Sequence, residues 1–393
     1  MQAMRNLALP VAAAAASVLS RAASNSASEE QPSVVAAIVV FRHGARAPVF
    51  KLSDASPGEA PYETLTTAPA HALPVELNGG RMYAKWPQSG LLTRVGWHQG
   101  EALGRFLSTA YGPPVDILVR STDVSRTVLT ARAVLTGLFA EAADLMPRQP
   151  IRINIESHED SPLPLNTRCA ALAASLHTGR AAHRSNDAGY AAARAAVAAA
   201  FDTEQAPGEP DASPPLLHVH DDCVARRFYG HAPSEAVGVS LCDWASRESA
   251  REVRAALREG GELGTRLSAG KLCSSMAEHL RELRAAPRVA AGPRMVLLSG
   301  HDTTLLMLLN ALDAEGDCVH RGEWPPHTSH IALELRSDDT IRVVYGGGAA
   351  VLVESTPAPA FLGRLDRIAI TSEPEYERLC GQARRNISFS WAD

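Results

Sequence analysis

Three apolar stretches of this chain run directly into basic, imidazole or carboxylate side chains. Residues 35–41 are continuously apolar, as in a buried strand, and two further short apolar strands are predicted at 115–119 and 294–299. In open α/β sheets, ligands bind beyond the carboxyl ends of the strands. If these strands are neighbours, three guanidinium groups, two imidazoles and one carboxylate meet in one crevice. The six side chains that follow the strands are Arg42, His43, Arg46, Arg120, His301 and Asp302.

This set of side chains suits a phosphate dianion. Guanidinium groups form paired hydrogen bonds with phosphate oxygens and stay protonated at any workable pH. The positive field of Arg42 and Arg46 disfavours imidazolium, so His43 would be a neutral imidazole able to attack phosphorus. Asp302 would protonate the leaving alkoxide and then act as base toward the water that cleaves the phosphohistidine. The arginines stabilise the phosphoryl charge, so this chemistry requires no metal and no cofactor.

Each of these features also has a purely structural interpretation. His43 can be a hydrogen-bonded structural histidine, and Arg120 can be a surface ion-pair partner. Asp302 can simply cap a helix that begins at Thr303. In the functional interpretation, Gly44 would let the backbone pass close to the ligand. The shared position at strand ends favours the functional interpretation.

The elements around these residues alternate between strand and helix at both ends of the chain. This pattern predicts an α/β fold with a mixed, mostly parallel sheet flanked by helices. Residues 158–290 are rich in Ala, Arg and Glu and predict a smaller helical domain inserted into the sheet domain. The α/β domain would then comprise residues 33–157 and 291–393. Strands are predicted at 35–41, 115–121, 151–157, 294–300 and in a hairpin around Asp338-Asp339, and helices at 93–111, 121–139, 187–202, 246–286 and 301–313.

The net charge of −5 gives the chain no general attraction to nucleic acid or to anionic membranes. Residues 1–27 resemble a secretory signal peptide, with Arg5 before an apolar stretch and small residues after it. No other apolar run approaches the ~18 residues that cross a bilayer. We therefore expect the mature chain to have no transmembrane helix and to be secreted or lumenal.

The six cysteines agree with an oxidising compartment. None lies in a CxxC pair, so zinc-ribbon spacing is absent. An even number with wide spacing behind a signal peptide predicts up to three disulfides. Asn386-Ile387-Ser388 is a glycosylation sequon, so a glycoprotein is expected.

The sequence resembles the histidine acid phosphatases in several places. "RHGARAP" at 42–48 matches their RHGxRxP signature, and "HD" at 301–302 matches their distal catalytic pair. "ILVRSTDVSRTVLTA" at 117–131 is similar to their second block. "SGHDTTLLMLLNALD" followed by "WPPHTSHIALEL" resembles the prostatic and lysosomal type. The resemblance is best over 34–140 and 294–336.

The resemblance implies hydrolysis of phosphate monoesters at acidic pH, on a phosphoglycerate-mutase-like sheet with a helical insertion. It implies that His43 accepts the phosphoryl group and Asp302 donates the proton. Arg42, Arg46, Arg120 and His301 would be phosphate ligands. Family members are typically secreted or lysosomal, disulfide-linked and often dimeric, so a homodimer is expected. The positions of Cys169 and Cys380 are consistent with a disulfide, whereas the pairing of Cys223, Cys242, Cys273 and Cys318 is left open.

Other functions fit part of the pattern. A phytase or inositol-polyphosphate phosphatase would favour more basic residues at the mouth of the pocket, and a lysophospholipid phosphatase would need an apolar groove. A phosphoglycerate-mutase-like transferase shares the RHG start but usually lacks the HD pair. An inactive phosphate-binding surface protein is disfavoured because every predicted catalytic position is intact.

Overall fold

The structure is a computed structural model of the whole chain. The predicted signal peptide at 1–27, the sequon at 386–388 and Cys318 lie outside the residues described here. Those residues are 32–50, 52, 61–79, 89–141, 149–157, 160–201, 214–233, 236–287, 292–314, 323–346 and 348–381.

One mixed sheet organises the described part of the chain. Its spatial order is β2-β4-β3-β5-β1-β6-β7-β8. The first five strands in this order run parallel to one another, and β6, β7 and β8 are antiparallel. The predicted fold class is thereby confirmed. The strands are β1 (Val34–Arg42), β2 (Val75–Asn78), β3 (Asp116–Thr122), β4 (Ile151–Glu156), β5 (Arg294–Gly300), β6 (His330–Arg336), β7 (Thr340–Tyr345) and β8 (Ala350–Pro357).

Helices cover both faces of this sheet. The long helical stretch predicted at 246–286 is interrupted at Gly260-Gly261, where Gly261 has φ +53° and begins a new helix. Among the described residues, no helix combines the length and the apolar character that crossing a bilayer requires. The helices are α1 (Arg94–Tyr111), α2 (Ser125–Leu138), α3 (Ala170–Asn186), α4 (Ala188–Ala200), α5 (Leu216–Tyr229), α6 (Gly238–Glu259), α7 (Gly261–Ala285), α8 (Asp302–Ala311), α9 (Ala358–Ile368) and α10 (Glu373–Cys380).

Strand β1 is buried on both faces, which explains its unbroken apolar sequence. Alternate side chains of a strand point to opposite faces. Val39 and Phe41 pack with residues of α1 and α2, whereas Ile38 and Val40 pack with residues of α6, α7 and α8. The RHGARAP segment thus begins at the end of a strand that is enclosed on both faces.

Helices α3 to α7 lie between β4 and β5 in the chain, where the insertion was predicted. They belong to two hydrophobic clusters. Residues of α3, α6 and α7 share one core with the sheet. Residues of α4, α5 and the first half of α6 form a separate cluster around Val197, Val219 and Leu241. The division of the chain into two domains therefore stays a prediction.

Two disulfides tie these helices together. Cys169 is bonded to Cys380, 211 residues later, with their Cα atoms 5.1 Å apart. Cys223 of α5 is bonded to Cys242 of α6. Cys273 is buried and forms no disulfide within the described ranges, and burial raises the pKa of its thiol to about 12.

Candidate active site

The three polar strand ends lie side by side. Strand β5 is hydrogen-bonded to β3 on one side and to β1 on the other, and all three run parallel. Arg42 is level with Gly300, and Ser121 is level with Ser299. Parallel strands that end level place their following residues at one edge of the sheet.

The loop after β1 is held rigidly by α1 and α2. The Gly44 N–H donates to the Thr130 hydroxyl (3.0 Å). The Ala45 carbonyl accepts from both the N–H and the hydroxyl of Thr93, the predicted cap of α1. A Cβ atom on Gly44 would lie 2.2 Å from the Gly96 carbonyl oxygen. Gly44 is therefore required by its contact with α1, and not by approach of a ligand as the sequence suggested.

The geometry around His43 leaves one ring nitrogen available. Its Nδ1 lies 2.8 Å from the Gly44 carbonyl oxygen, which can only accept. Nδ1 must therefore carry the proton, and Nε2 keeps a lone pair. Burial, together with the charges of Arg126 and Arg42, lowers the pKa of His43 well below 6.5. The imidazole is thus neutral and nucleophilic under acidic conditions.

Asp302 is the first residue of α8 and forms an ion pair with Arg42, with 2.8 Å between Oδ2 and Nη2. Its other oxygen accepts a 2.8 Å hydrogen bond from the Thr303 N–H. Burial alone would raise the pKa of Asp302, but Arg42 and His301 outweigh it and lower that pKa. The carboxyl group is therefore ionised while the ion pair with Arg42 persists.

Arg46 is paired with a residue from the helical insertion that sequence reasoning missed. Its Nη2 lies 2.6 Å from Oδ1 of Asp221, on α5. The other Asp221 oxygen accepts the N–H groups of Val49 (2.6 Å) and Phe50 (2.9 Å). Burial opposes ionisation of Asp221, but Arg46 and these hydrogen bonds lower its pKa. No pattern near Asp221 indicates this contact, because 175 residues separate the partners.

Arg120 does not face the other predicted site residues. Its guanidinium binds Glu156 (2.8 Å from Nε) and also donates to Ser275 and His279 of the insertion. The expectation that Arg120 binds phosphate does not fit these contacts. Alternate residues of a strand face opposite sides of the sheet, and Arg120 points toward α7.

Arg126, six residues later, occupies the place expected for Arg120. It is the second residue of α2, and it lines the same cavity as Arg42 and Arg46. It forms no ion pair with any carboxylate that the structure describes. Burial and the charge of Arg46 lower the pKa of Arg126 to about 9, so its guanidinium remains charged at acidic pH. The signal for Arg126 in the sequence is its position at the start of a helix that directly follows a predicted strand.

His301 is the N-cap residue of α8, because the helix begins at Asp302 and not at Thr303. The Thr304 hydroxyl accepts from the His301 N–H (3.0 Å). The ring Nε2 lies 3.2 Å from the Thr122 hydroxyl at the end of β3. The ring centroid is 5.6 Å from that of His43. His301 is therefore brought to the predicted site.

A cavity of about 290 Å³ opens beside these residues. His327 lines this cavity, and its ring centroid lies 5.7 Å from that of His43. His220 of α5 stacks on Trp324 (5.3 Å), so the insertion forms one wall. The lining residues are Arg42, Arg46, Val49, Phe50, Arg126, Leu217, His220, Asp221, Val224, Ala225, Asp302, Thr303, Trp324 and His327.

Four buried histidines make the stability of the fold dependent on pH. Burial lowers the pKa of His43 and His327 well below 6.5, that of His220 to about 3 and that of His330 to about 4. Between pH 6.5 and about 4 the unfolded chain then binds more protons than the folded chain. The free energy of unfolding should fall as the pH falls, by up to about 1.4 kcal/mol per pH unit for each histidine.

Urea denaturation at about pH 7, 6 and 5 measures this dependence. The His330→Gln variant, which removes one titrating group outside the cavity, should show a slope smaller by up to about 1.4 kcal/mol per pH unit. His177→Gln, at an exposed position of α3, should leave the slope unchanged. Equal stability at all three pH values would contradict the burial of neutral histidines.

Comparison with known proteins identifies the family of this chain. Residues 34–346 match the histidine phosphatase superfamily (branch 2). Testicular acid phosphatase of Mus musculus is 27% identical over 376 residues, covering 86% of this chain and 79% of that protein. Prostatic acid phosphatase of Bos taurus is 25% identical over 334 residues, covering 77% and 73%.

Among solved structures, the phytase from Citrobacter braakii is similar with a TM-score of 0.54 and 15% identity. The match covers 88% of this chain and 99% of the phytase, and at this identity it shows the fold alone. The family match spans most of the chain and includes the ends of β1 and β5 and the start of α2, which contribute residues to the cavity. This chain therefore belongs to the histidine phosphatase superfamily, branch 2.

Proposed function

We propose that this chain hydrolyses phosphate monoesters at acidic pH through a covalent phosphohistidine on His43. One observation carries the proposal: the cavity that lies beside a neutral, buried imidazole is lined by three guanidinium groups. They belong to Arg42, Arg46 and Arg126. Guanidinium groups fixed in a partly buried site bind phosphate and stabilise the charge of the transferring phosphoryl group.

The charge of the site fits a phosphate group. Three guanidinium charges face two carboxylates, so one net positive charge remains when Asp302 and Asp221 are both ionised. Protonation of Asp302 adds a second. Because Asp221 still neutralises Arg46, the two remaining positive charges are those of Arg42 and Arg126, and they match a phosphate dianion.

The proton on Asp302 arrives with the substrate. The second pKa of a phosphate monoester is about 6, so the bound form at acidic pH is largely the monoanion. When its phosphate binds Arg42, the ion pair with Asp302 breaks and the influence that lowers the pKa of Asp302 is removed. The substrate proton passes to Asp302, and the phosphate becomes the dianion that the arginines bind best.

The first chemical step transfers the phosphoryl group to His43. The Nε2 lone pair forms a bond to phosphorus, and the bond between phosphorus and the ester oxygen breaks. Asp302 gives its proton to that oxygen, and the alcohol leaves. The Gly44 carbonyl, bound to Nδ1–H, keeps the ring in the required tautomer.

Hydrolysis of the phosphohistidine reverses these roles. The ionised Asp302 takes a proton from water, whose oxygen attacks phosphorus, and the bond to Nε2 breaks. Inorganic phosphate forms, and His43 is neutral again. The three arginines hold the phosphoryl oxygens through both steps.

The rest of the cavity favours a substrate with a single phosphate. Besides the three arginines, the lining is mainly apolar or aromatic, with Val49, Phe50, Leu217, Val224 and Trp324. Asp221 is already paired with Arg46, so this pair offers no net positive charge to a further phosphate group. An inositol polyphosphate would leave its other phosphates against these surfaces, so we propose an apolar or aromatic leaving group.

Hydrolysis of p-nitrophenyl phosphate in the presence of a chelator tests the proposal. The rate should fall as the pH rises from about 5 to about 8, because the monoanion that supplies the proton disappears. Phytate should be hydrolysed more slowly than p-nitrophenyl phosphate. A rate that climbs steadily over the same pH range, or a preference for phytate, would contradict the proposed proton source or the proposed substrate class.

We also propose that the chain is secreted or lumenal after removal of residues 1–27. The two disulfides support an oxidising compartment. N-terminal sequencing of the mature chain tests it, since an intact Met1 would exclude cleavage. The homodimer stays a prediction.

A further inference from the structure

Three side chains that the proposed reaction does not use converge in the helical insertion. His183 lies in the last turn of α3, Asp187 links α3 to α4, and Glu248 lies on α6. Each offers one ligand atom, and the three atoms lie within 4.8 Å of one another. One imidazole and two carboxylates are a ligand set that first-row divalent metals accept.

Two polar atoms in this cluster are buried without a partner. The Glu248 side chain is 3% exposed. Its Oε1 accepts a 2.8 Å hydrogen bond from Arg251, but its Oε2 has no hydrogen-bond partner among the described residues. The Nε2 atom of His183, whose side chain is 10% exposed, is equally without one. A buried carboxylate oxygen or ring nitrogen left unpaired is costly, so each such group calls for a specific explanation.

Asp187 completes the cluster while keeping its structural role. Its Oδ1 caps α4 by accepting from the Tyr190 N–H (2.9 Å). Its Oδ2 remains available and lies 4.0 Å from Nδ1 of His183. The side chain is 31% exposed, so water could reach a remaining coordination position.

We propose that His183, Asp187 and Glu248 bind one divalent cation of the zinc class. Bonds of about 2.0–2.2 Å in a tetrahedral site put ligand atoms roughly 3.3 Å apart, so only modest side-chain rotation is needed. The imidazole disfavours Mg²⁺ and Ca²⁺, which take oxygen ligands. The ion would connect α3, α4 and α6. It would stabilise the insertion that carries Asp221 and would take no part in phosphate transfer.

Titration of untagged, chelator-treated protein with Zn²⁺ by calorimetry tests the site. One Zn²⁺ per chain should bind, the melting temperature should rise by at least about 2 °C, and Mg²⁺ should give no shift. Glu248→Gln keeps an acceptor for Arg251, and Asp187→Asn keeps a good helix cap, so both variants should fold. Each should weaken Zn²⁺ binding by about tenfold or more.

The exposed His177 on α3 gives a matched control. His177→Gln should bind Zn²⁺ like the wild type. Absence of saturable binding would overturn the proposal. An affinity that neither Glu248→Gln nor Asp187→Asn changes would place the ion elsewhere and would also overturn it.

Discussion

The His43→Ala variant is expected to hydrolyse p-nitrophenyl phosphate at least about 10⁴-fold more slowly than the wild type. The reason is that the variant lacks the imidazole nitrogen that is proposed to form the bond to phosphorus. The residual rate would reflect only the arginines and water. Steady-state kinetics at acidic pH measures kcat, and phosphate or vanadate binding should persist because the three guanidinium groups remain.

A matched control is His98→Ala, since the His98 side chain is 60% exposed on α1 and lies outside the cavity. It should retain wild-type activity. Rapid quenching of the wild type should also trap an acid-labile, base-stable phosphoenzyme that the His43→Ala variant lacks. Equal activity of the wild type and His43→Ala would exclude the proposed nucleophile.

The Arg126→Ala variant is expected to lose about 10²–10³-fold in kcat/KM. Its guanidinium lines the cavity and is paired with no described carboxylate, so its charge is available to the phosphoryl oxygens. Arg126→Lys should recover only part of the loss, because an ammonium group cannot form paired hydrogen bonds with phosphate. Initial rates at low substrate concentration give kcat/KM directly.

The Arg120→Ala variant separates a phosphate ligand from a structural arginine. Because Arg120 binds Glu156, Ser275 and His279, its loss should change kcat/KM by no more than about threefold. It should instead lower the free energy of unfolding by about 1–3 kcal/mol, since the Glu156 carboxylate loses its charged partner. The reverse result, with Arg120→Ala inactive and Arg126→Ala active, would restore the prediction made from the sequence.

The framework of the site could be predicted because its signals are local. A continuous apolar run identifies a strand buried on both faces, and polar residues immediately after it mark the carboxyl edge of the sheet. Arg42, His43, Arg46, His301 and Asp302 all follow such runs. Their proximity then requires only that β1 and β5 be neighbours, as they are.

Arg120 and Arg126 show where this reasoning fails. Both lie close to the carboxyl end of β3, and proximity to a strand end does not tell which face of the sheet a side chain occupies. Arg120 is still within β3, where alternate side chains face opposite sides of the sheet, and it points toward α7. Arg126 instead lies in the first turn of α2, which starts at the edge of the sheet.

Asp221 and His220 lay beyond prediction for a different reason. They reach the cavity through the packing of α5 against the loop after β1, a contact between segments about 170 residues apart. The short strands β2 and β8 were also missed: β2 has only four residues, and much of β8 is solvent-exposed, so neither shows the apolar run of a buried strand.

The Asp221 carboxylate has a practical consequence for engineering substrate preference. Redesign of the α5 wall, through Leu217 or Val224, would reshape the space for the leaving group. The same helix carries Asp221, which supports Arg46 and the backbone at Val49 and Phe50. Substitutions in α5 that are meant to change substrate selectivity can therefore also lower turnover. Variant libraries of α5 should keep Asp221 unchanged.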